Sequence, residues 1–486
     1  MKKIITYLST ILLATIVAMS VSCNNEETYP ESPDLTVIYN ISIANAGAQG
    51  NQVLVGTVDE INKEITFPDV DTLTDFSRIR FTAELPEGAR LDEDVYNFSM
   101  GPADARLKRT IAVVNGIRKR EYYVTIKKDI PVWGADFDKA EIYDFSKSDG
   151  TTTLYPDLSA GLVRGIDMDT NYVLIVPFVT AFNPASTATD AKAPYLLRMA
   201  DLKARTPTPV SLDTTGIAGG TRILSAGRLS HGHIYLCNLV VFGANEKLRI
   251  YHYASPTAVP EVKEFTRGLD GIPDYTAGGR FGDNMSVELD ENGDGYIFLA
   301  INRGTVPVPD PAQVLRLDVT NFSVGAATPI TVPEFVGVNG YWANYRQVDG
   351  ASNEYIYTSL VTSIQLVDKD GGSIYTLPMA AVPKVGNDAK VVTFNKERYL
   401  VMQTAEGEAK LHVYNITQGA TTREALETFA ARENKVALYT FNLKGGTANS
   451  AACLGVAKTE EALYLMGAAP GGGFVVVKAS KAVKAE

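Results

Sequence analysis

At 486 residues, with 45% hydrophobic and 21% charged side chains, the chain has a globular composition and is too long for one small core. Two domains or one large repeat architecture are expected. The formal net charge of −11 argues against a nucleic-acid partner, which would call for a basic face, and is compatible with neutral ligands.

Lys2 and Lys3 precede an apolar run from Ile4 to Met19, the pattern of a secretory signal. The run ends in Ser20-Val21-Ser22-Cys23, which resembles a bacterial lipobox: small residues before a scissile bond, then a cysteine that accepts an acyl chain. Ser20 stands where Leu is commoner. The resemblance implies that residues 1–22 are a lipoprotein signal peptide and that Cys23 carries the lipid. Several acyl chains there would anchor the protein durably where one would bind marginally. An ordinary secretory signal or an uncleaved anchor is the alternative. Asn24-Asn25-Glu26-Glu27 opens a tether over 23–34 and resembles the acidic tethers of surface lipoproteins from glycan-foraging Gram-negative bacteria. It implies an outer-membrane protein facing the cell exterior; a plain solvated spacer is the other reading, since Pro30 and Pro33 stiffen any polar linker. No later stretch approaches the ~20 apolar residues that cross a bilayer.

Residues 35–129 read as a first domain. Short β-branched and aromatic runs at Val37–Ile43, Val53–Val58, Glu64–Phe67, Ile79–Leu85, Thr110–Val114 and Arg120–Ile126 predict a β-sandwich of immunoglobulin-like type. Asn115-Gly116 is expected to make the tight turn of the last hairpin, since both residues tolerate positive φ. This hairpin resembles the closing one of Ig-like modules at the base of cell-surface glycan-binding lipoproteins. The domain holds neither Cys nor Trp, which excludes antibody-type packing. Residues 130–134 form a hinge in which Pro131 interrupts any continuous strand.

From residue 135 to 486 a theme recurs every ~45 to 55 residues, within the range of propeller blades. It begins at Asn171–Val176, Gly232–Cys237, Gly295–Ala300, Glu354–Thr358, Arg398–Met402 and Ala462–Met466, and each copy leads into further short strands. The chain is therefore predicted to be all-β, an Ig-like sandwich followed by a six-bladed β-propeller; a seventh blade is the variant if Thr331–Gly340 contributes one. A series of sandwiches is the other architecture. Glu141–Phe145 is expected to close the ring beside Gly473–Lys478, removing an open edge. Thr421 to Asn434 carries the clearest helical stripe. Cys237 and Cys453 are the thiols left once Cys23 is lipidated. Too few for a disulfide framework, they are read as buried and free, with one bridge as the alternative.

Three groups of residues are candidates for chemistry. Asp290, Asn292 and Asp294 place oxygens at alternate positions, as Ca²⁺ requires, although Ile301 stands where an EF-hand has Glu. A hairpin turn with Asp294-Gly295 at its tip is the competing reading, and no cofactor is otherwise expected. His231 and His233, two apart, would share a face of a strand and could hold a transition metal with a third ligand. Tyr341, Trp342, Asn344, Tyr345 and Arg346 group aromatic and hydrogen-bonding side chains that could stack on sugars; filling the space between two blades is the alternative. No nucleophile elbow, phosphate loop or zinc-protease helix is present.

Taken whole, the chain resembles surface lipoproteins that put a propeller on an Ig-like stalk, often in glycan-uptake systems. The resemblance implies a non-catalytic binding module for an extracellular glycan or protein, anchored to the membrane through its N-terminal lipid. A polysaccharide lyase or glycoside hydrolase, and a scaffold for outer-membrane proteins, are the alternatives. Catalytic residues are not assigned.

Overall fold

The computed structural model describes residues 35–101, 104–146, 163–177, 193–220, 222–241, 247–272, 280–301, 312–332, 342–359, 363–382, 386–404, 409–445 and 452–483. The chain divides into two compact units between Pro131 and Val132.

The first unit packs two sheets around one core. Gln52–Val55, Asn40–Ala46 and Phe81–Glu84 form a three-stranded antiparallel sheet. The second sheet is built on the long hairpin Arg106–Asn115 and Arg118–Asp129, and Glu64–Thr66 pairs in parallel with Tyr123–Thr125. Alternation along the strands sends Ile41, Ile43, Ile111, Val113, Tyr122, Val124 and Ile126 inward, where they meet Tyr96 and Phe98. The hairpin turn sits one residue later than the sequence suggests. Asn115 pairs with Arg118, so Gly116 and Ile117 are its central residues, and only Gly116 takes positive φ (61°).

The second unit is a β-propeller. Among the described residues it contains six four-stranded antiparallel sheets, each a meander except for the junction of chain ends in the last. Their first strands are Val163–Met168, Ala226–Ser230, Ser286–Leu289, Asn344–Gln347, Gly386–Phe394 and Cys453–Lys458. Each lies against the next, and the sixth against the first, which closes a ring around a central channel. Consecutive sheets bury one apolar cluster between them. In Tyr172–Pro177, Val173 and Ile175 face the cluster shared with the sixth sheet, and Leu174 and Val176 face the one shared with the second. That two-sided burial explains the unbroken apolar runs, which an exposed sheet would replace by polar alternation.

The expected closure is present. Ala135–Ser146 pairs antiparallel with Gly473–Lys481, with Glu141 opposite Lys478 and Phe145 opposite Phe474. The predicted helix occupies Thr422–Ala431, shorter than the stripe by three residues at its C-terminal end. Thr421 caps it, accepting from the Glu424 N–H while Glu424 bonds back, and Ala425, Leu426 and Phe429 are buried. No helix among the described residues is long and apolar enough to cross a membrane.

Candidate functional site

Among the side chains that the first strands turn toward the channel, Asp167, Arg228, Glu288, Arg346, Asp388 and Lys390 are charged. Arg228, in the second sheet, reaches across it to all five others. Its Nε donates to the Met285 carbonyl (2.6 Å), and Nη1 to those of Leu454 (3.3 Å) and Ile166 (3.5 Å). Nη2 donates to Asn344 Oδ1 (3.1 Å) and Asp388 Oδ2 (3.0 Å), and Asp167 lies 3.6 Å from Nη1. Only a planar fork with five N–H groups can serve so many acceptors from one position. Burial opposes its charge, but Asp388 and Asp167 outweigh it and hold the guanidinium firmly protonated. Asp388 Oδ2 also accepts the Leu454 N–H (2.9 Å), and Asp167 Oδ2 that of Leu229 (2.9 Å). Burial pushes the Asp167 carboxyl above the usual carboxylate range.

A second set of charges adjoins this hub. Glu288 is 3.0 Å from Arg346 Nε and 2.8 Å from Lys390 Nζ, and Arg346 Nη1 is 3.5 Å from Asp388. A cavity of ≈ 210 Å³ is lined by Glu288, Arg346 and Lys390 together with Asp167, Asp169 and Arg228, and Ser230 and His231 are its more exposed lining residues. The lining lies toward the C-terminal ends of the first strands. This polar well is the candidate site.

The residues singled out from sequence are distributed differently from expectation. Tyr341 and Cys23 lie outside the described residues. Trp342 and Tyr345 are buried, so they do not form an exposed stacking platform. Tyr345 packs on Phe298 (centroids 4.3 Å) between the third and fourth sheets, as strand alternation dictates, and its hydroxyl donates to the Asp368 carbonyl. Trp342 has positive φ (56°), and its carbonyl accepts from Asn284 Nδ2 (3.0 Å). Alternation sends Asn344 and Arg346 to the channel instead, where Asn344 serves the hub and Arg346 the well.

Asp290, Asn292 and Asp294 lie in a hairpin loop whose backbone takes up an oxygen of Asp290 and one of Asp294. Asp290 Oδ1 accepts the N–H groups of Asn292 and Asp294 (2.9 Å each), and Asp294 Oδ1 that of Asn321 (2.8 Å). The Asp294 N–H is the largest influence holding the Asp290 carboxyl below its ordinary range. Leu289 pairs with Gly295, which moves the tip to residues 291–293, and Gly293 takes positive φ.

His231 and His233 do not share a face. Ser230 pairs with His233, leaving His231-Gly232 as a two-residue turn with both φ positive (49° and 81°). His231 Nε2 sits 3.1 Å from the Leu289 carbonyl, whereas His233 Nδ1 lies 2.8 Å from His252 Nε2 and its ring stacks on Phe322. Among the described residues no group of three or more His, Cys, Asp or Glu is placed to hold a metal. Cys237 and Cys453 are buried in different apolar clusters and are not joined by a disulfide.

Burial lowers the proton affinity of His233 and His252 below the ordinary histidine value of 6.5. The unfolded chain then binds these protons more readily than the folded one, so their contribution to stability is present above pH 6.5 and is lost as pH falls. Glu261, 3.8 Å from His252 Nδ1, works in the opposite direction. The urea midpoint of the protein should drop on going from about pH 7 to about pH 5, and His252→Phe should lose less over that window. Parallel profiles for the two proteins would remove the pair from the account.

The sequence reading missed Arg228, Asp167, Glu288, Asp388 and Lys390. A signal was there: each sits within a short run that precedes one of the apolar second strands, charged where neighbouring strands are not. The reading began its repeats at the second strands, which carry the stronger apolar signature.

The geometry defines an all-β protein whose propeller channel is blocked by a guanidinium and capped at one end by a polar well. The chain belongs to the DUF4623 family, a domain of unknown function, whose model matches residues 26–482. A crystal structure of a DUF4623 family protein from Bacteroides eggerthii is similar, with 32% identity, a TM-score of 0.67, and coverage of 92% of this chain and 99% of that one. BamB from Moraxella catarrhalis (11% identity, 65% and 85% covered, TM-score 0.29) and the WD40 propeller domain of Doa1 (9%, 65% and 92%, 0.35) also align, with scores too low to carry an argument. No curated protein matches.

Proposed function

We propose that this protein is a lipid-anchored binding module, a six-bladed propeller on an immunoglobulin-like stalk, displayed on the exterior of an outer membrane and engaging extracellular glycan without cutting it. The address rests on the Ser20-Val21-Ser22-Cys23 lipobox and the acidic tether behind it. The observation that carries the binding reading is the well. Asp167, Glu288 and Asp388 each lie within 3.6 Å of Arg228, Arg346 or Lys390. Carboxylates paired in this way present fixed acceptors and donors rather than a free acid and base. One feature favours hydrolysis instead: Asp167, with its raised pKa, faces the same cavity as Glu288.

The test is retention of the processed protein, Cys23 replaced by serine, on a panel of plant, host and microbial polysaccharides, with release of reducing ends followed in parallel. Retention without release is the expected outcome. Release of product would make it an enzyme, and failure to bind any glycan would remove the carbohydrate reading and turn attention to a protein partner.

A further inference from the structure

We propose that the channel well seats a single neutral, hydroxyl-bearing sugar residue at the end of a glycan chain, an inference that rests on the glycan-binding reading above. Three features of the well point to this ligand.

The first is its shape. At ≈ 210 Å³ the cavity falls below the range of about 300–1,000 Å³ typical of small-molecule sites. Arg228 is part of its lining, and its bonds to all five other sheets set the guanidinium across the axis. A polymer cannot thread a blocked channel, so only a chain end can enter.

The second is charge. The lining carries Asp167, Asp169 and Glu288 against Arg228, Arg346 and Lys390, three of each sign, and Asp388 lies beneath it, 3.0 Å from Arg228 and 3.5 Å from Arg346. An anionic or cationic ligand group placed among them would meet a like charge as closely as an opposite one. A hydroxyl both donates and accepts, so it suits alternating partners, and a vicinal pair can use a carboxylate and an ammonium together.

The third is unused bonding capacity. Glu288 Oε1 and Arg346 Nε are 3.0 Å apart but poorly aligned, and neither makes a hydrogen bond among the described residues, although both side chains are more than nine-tenths buried. Buried polar atoms are nearly always bonded. A ligand hydroxyl accepting from Arg346 and donating to Glu288 completes both. Lys390, less buried than either, offers a donor beside them.

The experiment is calorimetric titration of the processed full chain with neutral monosaccharides (glucose, galactose, mannose, xylose, N-acetylglucosamine), with glucuronate and glucosamine as charged counterparts, and with glycine betaine as a zwitterion. The same titrations are made on Lys390→Gln and on Ser230→Trp, which obstructs the rim and leaves every charge in place. Melting curves establish that each variant is folded, and Lys390→Gln keeps the test decisive should Ser230→Trp not fold. At least one neutral sugar should bind, with its charged counterpart about tenfold weaker or more, Lys390→Gln about tenfold weaker, and Ser230→Trp without measurable affinity. Charged sugars or betaine binding as tightly as neutral sugars would overturn the inference. So would polysaccharide retention that neither variant changes, which leaves the glycan reading standing and moves the site elsewhere. If the unaltered protein retains no polysaccharide and binds no sugar, both readings fall together.

Discussion

Replacing Arg228 by methionine is expected to destabilise the propeller by about 3–5 kcal/mol, the cost of removing one partner from a buried ion pair. The substituted chain would keep Asp388 wholly inaccessible to solvent, with Asp167 nearly so, and neither would have the guanidinium that now neutralises it. Three carbonyls, those of Met285, Ile166 and Leu454, would lose a donor as well. Arg228→Lys should fall between the two proteins, because an ammonium with three donors cannot serve five sheets at once. Adding Asp388→Asn to Arg228→Met should restore part of the loss, since an amide is far less costly to bury than a carboxylate left with Arg346, 3.5 Å away, as its one cation. The measurement is the urea midpoint at constant transition slope. A loss under about 1 kcal/mol for the methionine variant would mean that the hub fills the channel without holding the ring together.

That hub also shows where sequence reasoning reaches its limit. The second strands were legible because each is apolar on both faces, and runs such as Tyr172 to Val176 or Gly295 to Ala300 leave little choice but a buried strand. Closure of the ring was legible for a related reason: Ile142, Tyr143 and Phe145 form a strand that has no neighbour in its own segment. The first strands read poorly. They are short and carry Asp167, Arg228, Glu288, Arg346 and Asp388, residues that pattern rules assign to the surface. Only their convergence on one axis makes these charges mutually compensating, and convergence is a property of the closed ring rather than of any repeat. Gly165 illustrates the same limit. A Cβ there would stand 2.6 Å from the Gly227 backbone nitrogen, so the glycine is required by contact with the next sheet, far away in sequence. Spacing misled at His231 and His233 because His231 lies in the two-residue turn and His233 on the strand after it, and at Trp342 to Arg346 because alternation divided one cluster between a blade interface and the channel.

The closing strand provides the other large expected effect. Phe474 is fully buried, and its ring stacks on Phe145 (centroids 5.2 Å, 19°), which enters the sheet from the opposite end of the unit. Phe474→Ala is expected to cost about 3–5 kcal/mol, as truncation of a buried aromatic generally does. Ending the chain at Gly472 should do more. Without Gly473–Lys481, both Ala462–Ala469 and Ala135–Ser146 lose their shared neighbour, and the apolar clusters on either side of the last sheet lose Phe474, Val475, Val476 and Val477. Two unpaired edges bordering opened cores favour association over folding. The truncated protein should lose the propeller's cooperative urea transition and should sediment as aggregate, whereas Val259→Thr, at an exposed position between outer strands, should stay within about 0.5 kcal/mol of the parent. A cooperative transition with an unchanged midpoint in the truncated chain would mean that the other five sheets hold the ring by themselves. The pairing pattern argues against that result, because in a closed ring each sheet is stabilised by both neighbours, and opening one junction exposes two faces at once.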